Sequence, residues 1–219
     1  MYIERKNAGS TLVIGAKRGR WRTESGVESA DREFALEKPK VLARDQNKCV
    51  SCGVSMPGLH VHHRNDDHSD NRRANLETAC DLCHAVHHVG LLGKSGAIAY
   101  LSIPQEDLSH LFRTMAVAVQ FGGDIAKKAL ALQALLMTRF TAPVDEMFGT
   151  HNPADFGNAL LALYDDDYAR RSVPLSNVRV IFDVERLGEF GARARKGVFD
   201  NNPPSLWPNI YRNYVPDAT

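Results

Sequence analysis

The chain has 219 residues, of which 43% are hydrophobic and 24% are charged, a composition typical of folded globular proteins. It contains no run of about 18 apolar residues, so a membrane-spanning helix is not expected, and its polar N-terminus is unlike a secretory signal. The formal net charge of +1 argues against a dedicated duplex-DNA binder, which needs a basic surface for phosphate contacts. We therefore expect a cytoplasmic protein.

The first part of the chain, 1–39, is predicted to be a strand and loop segment. A short β-like run at 11–14 is followed by a basic patch at 16–22. The stretch 23–38 is charged and lacks periodicity, which indicates a loop or a loose helix. A helical turn at 40–48 is then expected to lead into the first cysteine.

A zinc module is predicted at 40–92, because the cysteines occur there as two Cys-x2-Cys pairs. The four residues are Cys49, Cys52, Cys80 and Cys83. This spacing is typical of a tetrahedral structural zinc site with four thiolate ligands, and disulfides are not expected in a reducing compartment. The 27 residues between the pairs exceed the usual gap of a zinc ribbon, so a folded segment is expected between them.

Histidines are concentrated in the same region: seven of the nine lie between residues 60 and 88. The sequence "HVHHR" indicates the first strand of a hairpin, and "DDHSDN" indicates its turn. A helix is expected to start inside the second cysteine pair. His84 and His88 would leave one face of that helix, whereas His62 and His63 would point to opposite sides of the strand.

The order His-His, Asn-Leu, Cys-x-x-Cys-His resembles the HNH (ββα-metal) nuclease module. The resemblance implies that His63 is a general base for the attacking water and that Asn75 fixes the loop that orients it. It also implies that His62 and His84 bind a second divalent metal, with His88 as an additional ligand. In an active nuclease this ion would polarise the scissile phosphate.

The resemblance leaves the identity of the second ion open among Mg2+, Mn2+, Ni2+ and Zn2+. It assigns no role to His60, His68 or His87, which are therefore expected to be surface or turn residues. The module could also be an inactive scaffold, because the four-cysteine zinc would hold it together without any catalytic function.

The following part, 93–199, is predicted to be mainly helical and to pack on the module. A strand is expected at 97–103, and a helix at 104–120 begins with Pro104. Asp124 is expected to cap the next helix, whose apolar stripe indicates core packing. The residues of the stripe are Leu132, Leu135, Leu136 and Phe140.

A third helix is expected at 152–164, with Asn152 as its cap and Pro153 at its first position. A strand is predicted at 177–184. The tail, 200–219, is rich in proline and aromatic residues such as Trp207. Because such a segment cannot form a core alone, we expect it to drape over the domain or to dock a partner.

A second resemblance covers about residues 40–165. The runs "ARDQNKCVSCG", "HHRNDDHSDNRRANLETACDLCHAVHH", "GAIAYLSIPQEDLSHLFRTMAVAV" and "FTAPVDEMFGTHNPADFGNALLAL" resemble the IcmJ/DotN family of type IVB secretion and conjugation systems. The resemblance implies a subunit of a coupling complex at the cytoplasmic face of the inner membrane. Such a subunit binds a segment of the coupling ATPase and other subunits, its HNH-like fold is a scaffold, and its zinc is structural.

The predicted fold is thus α+β, with an HNH-like ββα-metal module packed against a small helical bundle. The predicted function is a zinc-stabilised, non-catalytic adaptor without direct membrane insertion. The alternative is a metal-dependent DNA endonuclease with His63 as the base, for which DNA would be a partner. A non-catalytic, sequence-specific DNA-binding zinc protein is disfavoured, because the charge is near zero and no recognition helix is evident.

Overall fold

The structure, a computed structural model, describes residues 12–19 and 28–214. Within these residues it contains eight α-helices and four short strands. In chain order the elements are α1 (Glu28–Arg44), β1 (His60–His63), β2 (Leu76–Ala79), α2 (Asp81–His87), β3 (Gly96–Tyr100), α3 (Gln105–Phe121), α4 (Gly123–Phe148), α5 (Pro153–Ala162), α6 (Asp165–Ala169), β4 (Val178–Phe182), α7 (Gly188–Ala194) and α8 (Trp207–Tyr214). This mixture of helices and small sheets confirms the predicted α+β class.

The strands form two separate antiparallel pairs. In the first pair, β1 and β2 align so that His60 faces Ala79 and His63 faces Leu76, and α2 follows directly. In the second pair, β3 and β4 align Gly96 with Phe182. The hairpin and the following helix therefore agree with the predicted strands and helix of the cysteine region, while the HNH assignment stays a prediction.

One large apolar cluster joins the cysteine region to the helical part. On the α2 side it contains Leu82 and Val86, and on the helical side it contains Ile98, Phe112 and Phe182. Phe112 and Phe182 contact each other edge to face, with ring centroids 5.7 Å apart. Both parts of the chain therefore share one core, and the predicted boundaries at 39/40, 92/93 and 199/200 stay predictions.

The N-terminal segment forms no regular strand within 12–19. Gly15 attaches it to the end of α2, because its backbone N donates to Val86 O at 2.9 Å and its O accepts from Val89 N at 3.0 Å. The predicted β-run at 11–14 is therefore wrong for residues 12–14. Residue 11 and the end of the basic patch, 20–22, lie outside the described residues.

A loop or a loose helix was predicted for 23–38. Residues 28–38 are helical, so the loop is wrong for this part. Residues 23–27 lie outside the described residues. Helix α1 has Glu28 and Asp31 in its first turn, where carboxylates favour a helix N-terminus. Its buried residue Val41 packs against Val61 and Leu76 of the hairpin. Tertiary packing therefore holds a helix whose sequence has little periodicity.

Helix α4 differs from the prediction in two respects. It begins at Gly123 after Gly122 as the cap, so Asp124 lies in its first turn instead of capping it. Leu132 and Leu135 are 37% and 55% exposed, so the prediction of core packing is wrong for these two residues. The remaining two members of the stripe are buried or half-buried.

The other predicted elements are present with small shifts in their ends. Pro104 precedes α3 as its cap residue, and the Asn152 side chain caps α5 by accepting from Ala154 N at 2.9 Å. In the tail, Trp207 packs against the main core, and its Nε1 donates to Asn202 O at 2.8 Å. Residues 215–219 lie outside the described part.

None of the helices in 12–19 and 28–214 has the length and apolarity needed to cross a bilayer.

A close backbone contact between two glycines gives a test of this packing. A Cβ atom added at Gly157 of α5 would lie 2.8 Å from Gly90 N. We expect Gly157→Ala to lower the free energy of unfolding by about 1–3 kcal/mol, although alanine favours a helix by about 1 kcal/mol. Gly188→Ala is the matched control, since open space surrounds that position. Equal urea-unfolding midpoints for Gly157→Ala and the wild type would contradict this packing.

Candidate metal centre

Two tight backbone turns carry the cysteine pairs. In the first turn, Gly53 N donates to Cys49 O at 2.8 Å, and in the second, His84 N donates to Cys80 O at 2.8 Å. A further bond from Val50 N to Thr78 O, 2.9 Å long, ties the first turn to β2. The backbone thus brings the two pairs together across the hairpin.

The four thiols form one compact cluster. The Sγ atoms of Cys49, Cys52, Cys80 and Cys83 all lie within 4.8 Å of one another, and those of Cys52 and Cys80 are 3.7 Å apart. None of the four forms a disulfide. In a tetrahedral zinc site with Zn–S bonds of about 2.3 Å, neighbouring sulfurs stand about 3.8 Å apart. The predicted cysteines therefore have the arrangement that a structural zinc ion requires.

A buried arginine of α3 faces this cluster. Arg113 Nη2 lies 3.3 Å from Cys52 Sγ and 3.7 Å from Cys80 Sγ, and within the described residues no carboxylate pairs with it. A buried guanidinium needs an anionic partner, which thiolates supply. The pKa of the Cys52 thiol is lowered, first by hydrogen bonds from the neighbouring thiols and further by the Arg113 charge.

Two neighbours of Arg113 on α3 complete this contact. Arg113 Nη1 donates to His110 Nδ1 at 2.7 Å, which leaves His110 Nε2 to donate to Cys52 O at 2.7 Å. Ser109 Oγ lies 3.8 Å from Cys83 Sγ. The sequence reading missed these three residues, because it treated the helix only as an apolar stripe. The sequence does contain a signal, because these three polar residues lie at positions i, i+1 and i+4 on one side of an otherwise core-facing helix.

The predicted histidine set is also brought together. Ring nitrogens of His62 on β1 and of His84 and His88 at the end of α2 lie within 4.8 Å of one another. Burial is the main cause that lowers the pKa of His84 to about 3 and that of His88 to about 4. Both rings are therefore neutral at pH 7, the state that binds a metal.

His63 lies on the opposite side of β1, as predicted, but it is enclosed. The residue is only 2% exposed. The ring of Phe34 stacks on it at a centroid distance of 5.2 Å, and its Nε2 lies 2.9 Å from Asn71 Oδ1. The structure thus keeps the predicted general base away from solvent, and its catalytic role stays a prediction.

Asn75 holds the loop between the two strands, where the HNH resemblance expects it. Its Oδ1 accepts from Asn65 N at 3.1 Å, and its Nδ2 donates to Asn65 Oδ1 at 2.8 Å and to Asp70 O at 2.9 Å. These bonds fix both ends of the loop that follows His63. These contacts stabilise the loop whether or not the protein is a catalyst.

The remaining histidines only partly fit the expectation of surface or turn positions. His60 is partly exposed and pairs with Asp81, and His68 lies in the turn with its ring 4.7 Å from that of His63. His87, by contrast, is largely enclosed: its ring stacks on that of His62 at 4.2 Å. Its Nε2 lies 3.5 Å from Oε1 of the buried Glu77. The sequence reading therefore missed both His87 and Glu77.

The contact of Arg113 with the thiols leads to a prediction about metal affinity. We expect Arg113→Met to weaken metal binding at the cysteine cluster by about 10–100-fold, as loss of an outer-shell partner does. Chelator competition on the purified protein measures this. Arg179→Met is the matched control, because Arg179 is equally buried but bonds to the carbonyl groups of Ile103 and Val178. Equal losses in both variants would contradict the prediction.

Comparison with known proteins was made for the whole chain. No family model matches it. The chain is similar to the type 4 apparatus protein DotN of Legionella pneumophila, with 28% identity over 179 residues, which cover 78% of this chain and 82% of DotN. The similarity thus extends far beyond the cysteine and histidine region, and it supports the predicted resemblance to the IcmJ/DotN family.

Proposed function

We propose that this protein is a non-catalytic adaptor of a type IVB-like coupling complex and binds a segment of the coupling ATPase. The observation that carries the proposal is the similarity to DotN, a type 4 apparatus protein, over most of both chains. In this proposal the protein acts at the cytoplasmic face of the inner membrane, to which other subunits of the complex hold it. It serves protein secretion or conjugation as a scaffold.

The cysteine cluster has a structural role in this proposal. A zinc ion held by Cys49, Cys52, Cys80 and Cys83 would join two turns that are far apart in the sequence. Because α3 contacts the same thiols through Arg113, the ion would stabilise both the hairpin region and the helical part. An adaptor needs this rigidity to present a binding surface, and it needs no open coordination position.

An apolar groove in the helical part is the surface that we propose for the ATPase segment. It lies between the end of α4, helix α5 and the turn after α6, and its volume is about 580 Å³. Residues that line it include Phe148, Phe156, Leu160, Leu163, Val173 and Leu175. Exposed apolar patches of this kind mark interaction sites, and an apolar groove suits a peptide segment that inserts a few side chains.

A charge placed in this groove tests the proposal. Val173 is 77% exposed, so Val173→Asp should leave the fold intact. We expect the variant to bind the ATPase segment at least about 10-fold more weakly, since a charge at the centre of an apolar contact must be desolvated. Calorimetric titration of the purified protein with that segment measures the affinity.

The matched control is Leu36→Asp. Leu36 is an apolar residue of α1 that is 68% exposed and lies outside the groove. It should bind like the wild type. If both variants bind with wild-type affinity, the groove is not the docking surface. If the wild-type protein itself does not bind the segment, the adaptor proposal fails.

A DNA endonuclease is the second candidate, and the cluster of His62, His84 and His88 favours it. The enclosure of His63 beneath Phe34 opposes it, because a general base must reach the attacking water. We expect no nicking of plasmid DNA in Mg2+, Mn2+ or Ni2+. Nicking that disappears in His63→Ala and persists in His151→Ala, a variant at a distant exposed histidine, would instead establish the nuclease.

A further inference from the structure

We propose that two copies of this chain associate through one face of α4, with the two helices antiparallel. This surface, the outer face of α4, consists of six exposed residues: Lys128, Leu132, Leu135, Arg139, Ala142 and Glu146. The predicted packing of the helix into the core does not account for it, because its two leucines are exposed. Such an association is independent of the adaptor function.

Two adjacent leucines lie near the centre of the outer face. Leu132 is 37% exposed and Leu135 is 55% exposed, whereas α4 meets the core through residues such as Leu136 and Val144. Exposed apolar side chains scattered singly are ordinary, but adjacent ones form a patch that marks an interaction site. The two leucines therefore provide an apolar contact for a partner.

The spacing of the outer face is the same in both directions along the helix. Its six residues follow one another at intervals of 4, 3, 4, 3 and 4 positions, which is the heptad pattern of helices that pack as a pair. Because this order of intervals is symmetric about Met137, an antiparallel copy presents the same pattern. Each residue of the outer face then meets a defined residue of the second copy.

The two ends of the outer face carry opposite charges. Antiparallel pairing brings Lys128 of one copy next to Glu146 of the other, and two-fold symmetry repeats this pair. Within residues 12–19 and 28–214, neither side chain forms an ion pair in its own chain. A parallel copy would instead place lysine beside lysine and glutamate beside glutamate. Charge complementarity therefore favours a second copy of this chain in the antiparallel orientation.

Between the ends, large side chains meet smaller or flexible ones. Leu132 of one copy meets Ala142 of the other, so the small alanine leaves room for the leucine. Leu135 meets Arg139, whose aliphatic stem covers the leucine while its guanidinium stays in water. All four residues are exposed in the single chain. The outer face is thus complementary to itself in size as well as in charge, as a two-fold contact requires.

The length of the outer face limits the strength of the contact. From Lys128 to Glu146 the helix extends over about 27 Å, since each residue adds about 1.5 Å. One pair of helices of this length buries less area than a standard stable interface, which buries about 1,600 Å². We therefore expect a reversible dimer with a dissociation constant of about 10–100 μM.

Sedimentation equilibrium of the purified full chain, at concentrations of about 5–500 μM, measures this association. We expect Lys128→Glu and Glu146→Lys each to weaken the dimer about 10-fold at low salt, because like charges then meet twice in each dimer. An equimolar mixture of these two variants should associate with wild-type affinity, since every reversed charge then meets an opposite one. A folding defect in either variant would not be repaired by mixing.

Lys127→Glu is the matched control, because this neighbouring exposed lysine points about 100° away from Lys128 around the helix. It should associate like the wild type, and circular dichroism confirms that each variant is folded. Wild-type protein that stays monomeric over the whole concentration range overturns the proposal. Equal effects of Lys127→Glu and Lys128→Glu overturn it too, as does a mixture of the two outer-face variants that does not regain wild-type affinity.

Discussion

The contact between the four thiols and Arg113 of α3 is the interaction on which the rest of the structure depends. The guanidinium lies against Cys52 and Cys80, and its neighbour His110 bonds to the first cysteine turn. A buried cation needs an anionic partner, and Cys52, whose thiol pKa is lowered, supplies it. The cluster thereby connects the hairpin to the helical part, and residues from both sides contribute to one apolar core.

The same arrangement places a cluster of histidine side chains beside the apolar core. The hairpin directs His62 and Glu77 toward α2, while it directs His63 to the other side, beneath Phe34. A module that resembles a nuclease in sequence thus has its predicted base enclosed and its predicted metal ligands clustered. The proposed adaptor function is consistent with this geometry and with the similarity to DotN. In the proposed function, the groove at α5 is the surface for the ATPase segment.

Much of the architecture was predictable from the sequence because the signals are local. The paired cysteine spacing located the cysteine cluster, the alternation in "HVHHR" located β1, and Asn152 with Pro153 marked the start of α5. The exposure of Leu132 and Leu135 was not predictable, since a helical stripe shows which residues are apolar but not which neighbour covers them. For residues 28–38 the sequence left a loop and a loose helix open for a related reason, because packing against the hairpin holds helix α1.

The sequence by itself determined the ligand types, their pairing along the chain and the resemblance to the IcmJ/DotN family, because these depend on residue identity and spacing alone. Only the tertiary structure decided which groups meet. The register that sets Glu77 opposite His62 and the approach of Arg113 to the thiols both join segments distant in sequence. Such contacts follow from the packing of whole elements around a shared core, which local patterns do not encode.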